Sequence, residues 1–480
     1  MSDHPYSPRL RTALVLTGTG TAGAYHAGVL QALHEAGIRI DLVAGRGMGV
    51  SSAFFAAVDG GAHLWGPRGF WRRSAVARFY HARPLVRLAA WLGVAGLIIL
   101  LLPLALLLAA VVAYLAGLLA TLAGFEEQGA AITARFRALL DLLFAPAALP
   151  TIAPRLMVLA LVAGLAVLGL GALVAAWRGR GRRTWGAAWW KRVGAPLGPP
   201  RVVSALTRTL WNLIRGAAHV KQPTAPEVGR RYAELLTENL GQPGFRELLV
   251  TVHDLDARCD LVFGILSEPH RARFFAADAG PSGERRGAEA FDLAGVARDH
   301  LLDALAASLA LPVASDAHLI RFPSEGYWRG ETHRVCDRPD ALVRLLQEVA
   351  AAGVEQAVVV GDAPPPELPH ALSSTRTDLR GRVGEYFRAA ETAAFDDAIR
   401  GAAHWLSGVF EVRPPHNPVG PFDFGGAYDE RSDRWHGVAE LVDRGYEDAY
   451  RQFIDPVVGA GDDRVAPRRG AGAAGPVPIP

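Results

Sequence analysis

The chain has 480 residues, with 50 Lys and Arg against 47 Asp and Glu, a formal charge of +3. That balance excludes nucleic acid as a partner called for by bulk charge, and two cysteines are too few for a disulfide framework or a cysteine-rich zinc site. An apolar fraction of 50% directs attention to membrane segments.

In chain order, TALVLTG (12–18) reads as a buried strand, and the run from Gly23 to Ala36 as a helix. Between them lies Gly18-Thr19-Gly20-Thr21-Ala22-Gly23, a G-x-G-x-x-G turn that opens a helix. Backbone N–H groups at such a turn suit an oxyanion or a phosphate. A dinucleotide reading would need an acid at the end of the second strand, but Asp41 stands at its beginning, so no nucleotide cofactor is expected. IRIDLVAG (38–45) is the second strand and Gly49 to Val58 the second helix. They are joined by Gly45-Arg46-Gly47-Met48-Gly49, the G-x-?-x-G spacing of a nucleophile elbow whose apex is glycine.

No charged residue occurs from Trp91 to Phe125, nor from Leu156 to Trp177. A crossing needs about 20 apolar residues, so the second run fits one span and the first exceeds one. Arg68, Arg72, Arg73, Arg78, Arg83 and Arg87 precede the first run; Arg178, Arg180, Arg182, Arg183, Lys191 and Arg192 follow the second. The intervening loop mixes Arg135, Arg137 and Arg155 with Glu126, Glu127 and Asp141. The positive-inside rule then gives a two-helix transmembrane hairpin, with both flanks and the main domain cytoplasmic.

Beyond the hairpin, ELLVTVHDL (247–255) and CDLVFGIL (259–266) read as strands. Ala288 to Ala310 and Pro339 to Ala352 read as helices, and EQAVVVGD (355–362) as another buried strand. Alternating strands and helices give an α/β fold with a mainly parallel sheet, shared by the segments on both sides of the hairpin. His253, Asp254 and Asp256 are expected to be turn residues, with no metal held. The expected divisions are 1–88 and 178–458 as two parts of one domain, 89–177 as the insertion, and 459–480 as a disordered Gly/Pro/Ala-rich tail.

LVLTGTGTAGAYHAGVLQALHEAGIRIDLVAGRGMG resembles the opening of patatin-like phospholipases: strand, glycine-rich oxyanion loop, a helix with Gly28, Leu30, Leu33 and Gly37, strand and elbow. AASLALPV (306–313) resembles the segment before the family's aspartate motif, and FDFGGAYDERSDRWHGVAELVDRGYEDAYRQFI resembles its C-terminal regions. The resemblance implies a three-layer α/β/α sandwich and a Ser–Asp dyad that hydrolyses lipid acyl esters, with loop amides holding the oxyanion. In this chain the serine position is Gly47. An Asp-Gly motif sought fifteen to twenty residues after Ala-Leu-Pro falls on Arg329-Gly330-Glu331, which puts Arg329 at the base position. The implied protein is a membrane-anchored pseudoenzyme of lipid metabolism with no intact catalytic residue. Arg46 and Arg329, with the loop Gly18, Thr19, Gly20, Thr21 and Gly23, would form a pocket for an anionic phospholipid; the alternative is that Arg329 points to solvent and Arg46 pairs with a nearby acid. The competing expectation is an active hydrolase with a shifted nucleophile, Ser51 or Ser52, and Asp337, Asp340 or Glu331 as base.

Overall fold

The computed structural model describes residues 6–82, 84–144, 197–277, 285–324, 328–366 and 379–458, with scattered positions between 155 and 195. The chain forms two compact units, residues 1–81 with 197–480, and residues 82–196.

Among the described residues the main sheet of the first unit has nine strands: β1 (Thr12–Leu16), β2 (Leu42–Gly45), β3 (Glu247–Asp254), β4 (Cys259–Ile265), β5 (Ala288–Asp292), β6 (His318–Arg321), β7 (Thr332–Cys336), β8 (Gln356–Val360) and β9 (Gly408–Val412). Their order is β9-β8-β1-β2-β3-β4-β5, with β7 pairing the end of β3 and carrying β6 at its other edge. From β9 to β3 every neighbour is parallel, and β4 reverses direction against β3. Strands from before and after the second unit are therefore neighbours in a single sheet.

Alternation along the central strands feeds two cores. Leu14, Leu16, Val43, Val358 and Val360 face α1 (Ala22–Glu35), α2 (Met48–Ala57) and the later α8 (Val438–Ala449). Ala13, Val15, Ala44, Ala357 and Val359 face α6 (Leu342–Ala351) and α7 (Leu379–Ala402). A mainly parallel sheet covered by helices on both faces is the arrangement that buries such strands. Helices α1 and α8 cross at backbone distance. A Cβ on Gly28 would lie 1.8 Å from the Val442 carbonyl oxygen, and one on Gly445 would lie 2.2 Å from that of Tyr25. Gly28 is thus required by packing.

One expected helix is different. Ala288–Asp292 is an edge strand parallel to β4, and only Leu301–Ser308 (α5) of the expected helix 288–310 is α-helical. AEAFD alternates at period two, and the buried neighbour β4 offers an open edge for it.

In the second unit α3 (Pro84–Leu122) has 39 residues, and α4 (Glu126–Phe144) folds back beside it after a turn at Gly124. The segment expected as the hairpin's loop is thus largely helix. The two helices approach closely where a Cβ on Gly129 would meet the Gly117 oxygen at 2.6 Å. Tyr114 and Phe136 pack edge to face nearby. Among the described residues one helical stretch, Leu104–Leu122, is long and apolar enough to span a bilayer. Of the second apolar run, 156–177, residues 158–166, 169–170 and 173 are described and are helical, whereas the basic flank at 178–192 and the tail at 459–480 lie outside the described residues.

Candidate functional site

The two glycine turns leave adjacent parallel strands at the same end, with Leu16 registered against Gly45. The Met48 amide donates to the Gly18 carbonyl at 2.8 Å, and the Arg46 amide donates to that of Leu16 at 3.2 Å, so the turns are locked together. Gly47 caps α2 with φ +56° and ψ −133°, close to the region that glycine alone populates freely. A Cβ placed there would point at the Asp337 carboxylate, 3.0 Å from Oδ2, and would stand 2.6 Å from the Gly18 oxygen. The apex thus has the strained strand-to-helix geometry of an elbow, faces an acid, and has no room for a side chain.

Asp337, not Arg329, is the residue brought to that apex. Arg329 sits at φ +44° on an exposed turn between β6 and β7. The β6–β7 hairpin lengthens the connection after Ala-Leu-Pro, and the acid follows β7 directly, beyond the window in which it was sought. The Asp337 amide donates to Ala310 O at 2.8 Å, which fixes the residue at the head of its loop.

Arg46 fills the space around the apex and is fully buried. Its Nη2 donates to Glu391 Oε1 at 2.5 Å and lies 3.4 Å from both Asp337 Oδ2 and Thr19 Oγ1; Nη1 donates to Pro339 O. Thr19 Oγ1 also donates to Glu391 at 2.6 Å. Asp362, at the end of β8, stands against Gly18, where a Cβ would meet its Oδ1 at 2.8 Å. Three buried carboxylates thus surround one guanidinium. Among the described residues Asp337 Oδ1 and Arg46 Nε have no hydrogen-bond partner. Burial pushes all three acids up against the pull of nearby arginines. Asp362 reaches about 6 and Glu391 about 7, the latter also raised by the Asp362 charge.

The glycine loop is covered from the C-terminal side. The Thr21 amide donates to Pro421 O at 3.0 Å and its hydroxyl to Gly420 O at 2.9 Å. Gly20 lies under Pro421, and Gly23 packs on the Trp71 ring. The expected cationic, phosphate-accepting pocket of Arg46, Arg329 and the loop is therefore not assembled: Arg329 is elsewhere, Arg46 is ion-paired, and acids outnumber it.

The two serines beyond the elbow lie inside α2. Ser51 is buried and donates back to the Met48 carbonyl at 2.7 Å, and Ser52 is fully buried within α2. Glu331 is exposed, beside His333, and Asp340 is exposed, paired with Arg338. His253 pairs with Asp260, Asp254 accepts the amides of Asp256 and Ala257, and no group able to hold a metal occurs among the described residues. Asp41 accepts the Thr12 amide at 2.9 Å, at the strand end opposite the glycine loops. Glu391 carries no local signal in sequence. Asp362 does: it closes a buried strand, as Gly18 and Arg46 do.

The raised acids fix a pH dependence. A carboxyl whose pKa rises on folding stabilises the fold fully below its unfolded value, and that contribution is lost as pH rises through the folded value. For Glu391 the window runs from its ordinary value near 4.5 to about 7. Glu391→Gln removes this term. The stability of the variant relative to the parent, followed by thermal melts from pH 5 to pH 8, is expected to improve by roughly 2 kcal/mol. A constant difference would refute the assignment.

No protein-family model matches the chain, and no curated protein does. Among solved structures it is similar to VipD from Legionella pneumophila, at 12% identity over 93% of this chain and 67% of that one, with a TM-score of 0.29. Likeness at that level carries no chemistry.

Proposed function

We propose that this is a membrane-anchored patatin-like protein whose hydrolase site has become a filled structural core, so that it holds lipid or a protein partner without turning over an ester. The carrying observation is Gly47. It keeps the backbone of an elbow, faces Asp337, and has its side-chain space taken by the Gly18 carbonyl and the Asp337 carboxylate. An acid without a nucleophile does not complete an acyl transfer. The strand–loop–helix–strand–elbow order and the sheet with helices on both faces support the patatin-like reading.

The anchor in this reading is the pair of apolar runs, with both basic flanks and the α/β unit cytoplasmic. Anionic lipid is met by the exposed Arg68, Arg73 and Arg78 ahead of the first run, as juxtamembrane basic residues favour. The old active site, rich in carboxylates, is not the lipid site.

Two measurements test this. A serine-directed fluorophosphonate probe is expected to leave the protein unlabelled; labelling abolished by Ser51→Ala or Ser52→Ala would establish an active hydrolase instead. A cysteine at Gln128 is expected to react with an impermeant reagent from the non-cytoplasmic side, and reaction only after permeabilisation would reverse the topology.

A further inference from the structure

Among the described residues the β6–β7 hairpin joins β3 through two residue pairs, His253 with Cys336 and Asp254 with Val335. Side chains supply the rest of its attachment. Arg334 Nη2 donates to Asp256 Oδ1 at 2.5 Å, and the Arg334 amide to the same carboxylate at 2.8 Å, a contact that keeps its charges across the neutral range. Two further contacts are histidine–carboxylate pairs. His318 Nε2 lies 2.8 Å from Asp303 Oδ1 on α5, whose other oxygen meets His300 Nδ1 at 3.1 Å. His333 Nδ1 lies 2.5 Å from Asp254 Oδ2, and its Nε2 lies 3.2 Å from Glu331 Oε2.

His333 thus faces a carboxylate at each ring nitrogen. A neutral imidazole has one N–H and satisfies one of them, whereas the imidazolium donates to both. The ring is buried and packs at steep angles on Trp328 and Phe322, which fix its orientation. Asp254 is fully buried. Its Oδ1 accepts the amides of Asp256 and Ala257, and among the described residues His333 is the cation in contact with it. The thiols of Cys259 and Cys336 stay neutral there, pushed up by burial and nearby acids to about 11 and about 12. Asp256 is committed to Arg334. Burial alone would lower the imidazole, but the bonds to Asp254 and Glu331 outweigh it and hold the ring above its ordinary 6.5.

We propose that His333 is a proton-operated clasp: its imidazolium ties the β6–β7 hairpin to β3, and loss of the proton frees the hairpin from the sheet. A histidine whose pKa rises on folding contributes fully below its unfolded value, and that contribution is lost as pH rises through the folded value. The hairpin is therefore locked in mild acid and released on the alkaline side of 6.5. The neutral ring gives up one carboxylate, and the buried Asp254 loses its cation, which disfavours the closed arrangement. Asp337 follows β7 directly, so the acid that faces Gly47 is delivered by the strand that the clasp fixes. The clasp lies within the α/β unit and stands apart from the membrane reading.

The test is hydrogen exchange of the full chain in detergent micelles at pH 6 and pH 9, with each time course scaled for the intrinsic exchange rate. Amides of β6 and β7 are expected to lose at least tenfold in protection between the two, and those of β1 and β8 less than twofold. In His333→Gln, which keeps a donor but does not titrate, hairpin protection is expected to be equal at both pH values, whatever its level. His318→Gln is expected to keep the loss. Hairpin protection that does not change with pH in the parent overturns the clasp. A loss that persists in His333→Gln, or one that disappears in His318→Gln, assigns the release to another group and overturns it equally.

Discussion

Replacing Arg46 by leucine is expected to lower the stability of the α/β unit by about 3–5 kcal/mol, the usual cost of stranding buried charge by removing its partner. The guanidinium is the central cation among Asp337, Glu391 and Asp362, all of them buried. Without it the acids take up protons, and the loss is smaller at pH 5 than at pH 8. Arg46→Lys is expected to recover only part of the stability, because one ammonium does not reach Glu391, Asp337 and Pro339 O in the fork geometry used here. Adding Glu391→Leu to Arg46→Leu is expected to restore more stability than Arg46→Lys does. Thermal or denaturant melts of the four proteins decide the matter, and a loss below about 1 kcal/mol in Arg46→Leu would show that the cluster is solvated.

The second large effect is at the apex. Gly47→Ser is expected to leave the protein without esterase activity and to destabilise it by about 2–4 kcal/mol, combining a side chain at a strained φ with overlap against backbone. The Gly18 oxygen, 2.6 Å from the added Cβ, is itself held by the Met48 amide and yields only if both turns move. The aspartate is already in place, so the serine alone tests whether the site is merely short of a nucleophile. Turnover of a short-chain acyl ester by Gly47→Ser, lost again in Gly47→Ser/Asp337→Asn, would show a site one substitution from activity. Arg46, buried and paired with Asp337 itself, argues for the inactive outcome.

The parts of this site that were legible are those whose signal is local. An apolar run that ends in glycine and opens a helix specifies a strand–turn–helix, and both turns lie where that pattern puts them. The acid opposite Gly47 was not legible by spacing. Its distance from Ala-Leu-Pro depends on the length of the β6–β7 hairpin, and surface hairpins change length at little thermodynamic cost. Arg329 was put at the site by counting, whereas Asp337 reaches it by pairing, through the register of Cys336 against His253. From sequence Arg46 reads equally as a pocket cation and as the partner of some nearby acid, with no sign of which acid. Only the fold supplies Glu391, from a helix 345 residues away, to neutralise it. The strand at 288–292 was hidden by its alanines, which suit a helix until a sheet edge is available.

The sheet also imposes an order on biosynthesis. Strand β1 lies between β2, which leaves the ribosome almost with it, and β8, whose Val358 pairs with Leu14. At roughly 5–20 residues per second, β8 follows the end of the apolar insertion by about 10–35 seconds. Helix α8, whose Val442 carbonyl rests on Gly28, comes later still. Throughout that interval β1 and α1, each almost wholly apolar on its inner surface, wait with one side uncovered. The surface of α1 that α8 covers therefore stays uncovered until the last part of the chain is made, and a nonsense change before Val438 leaves it open even where β8 is present to pair with β1.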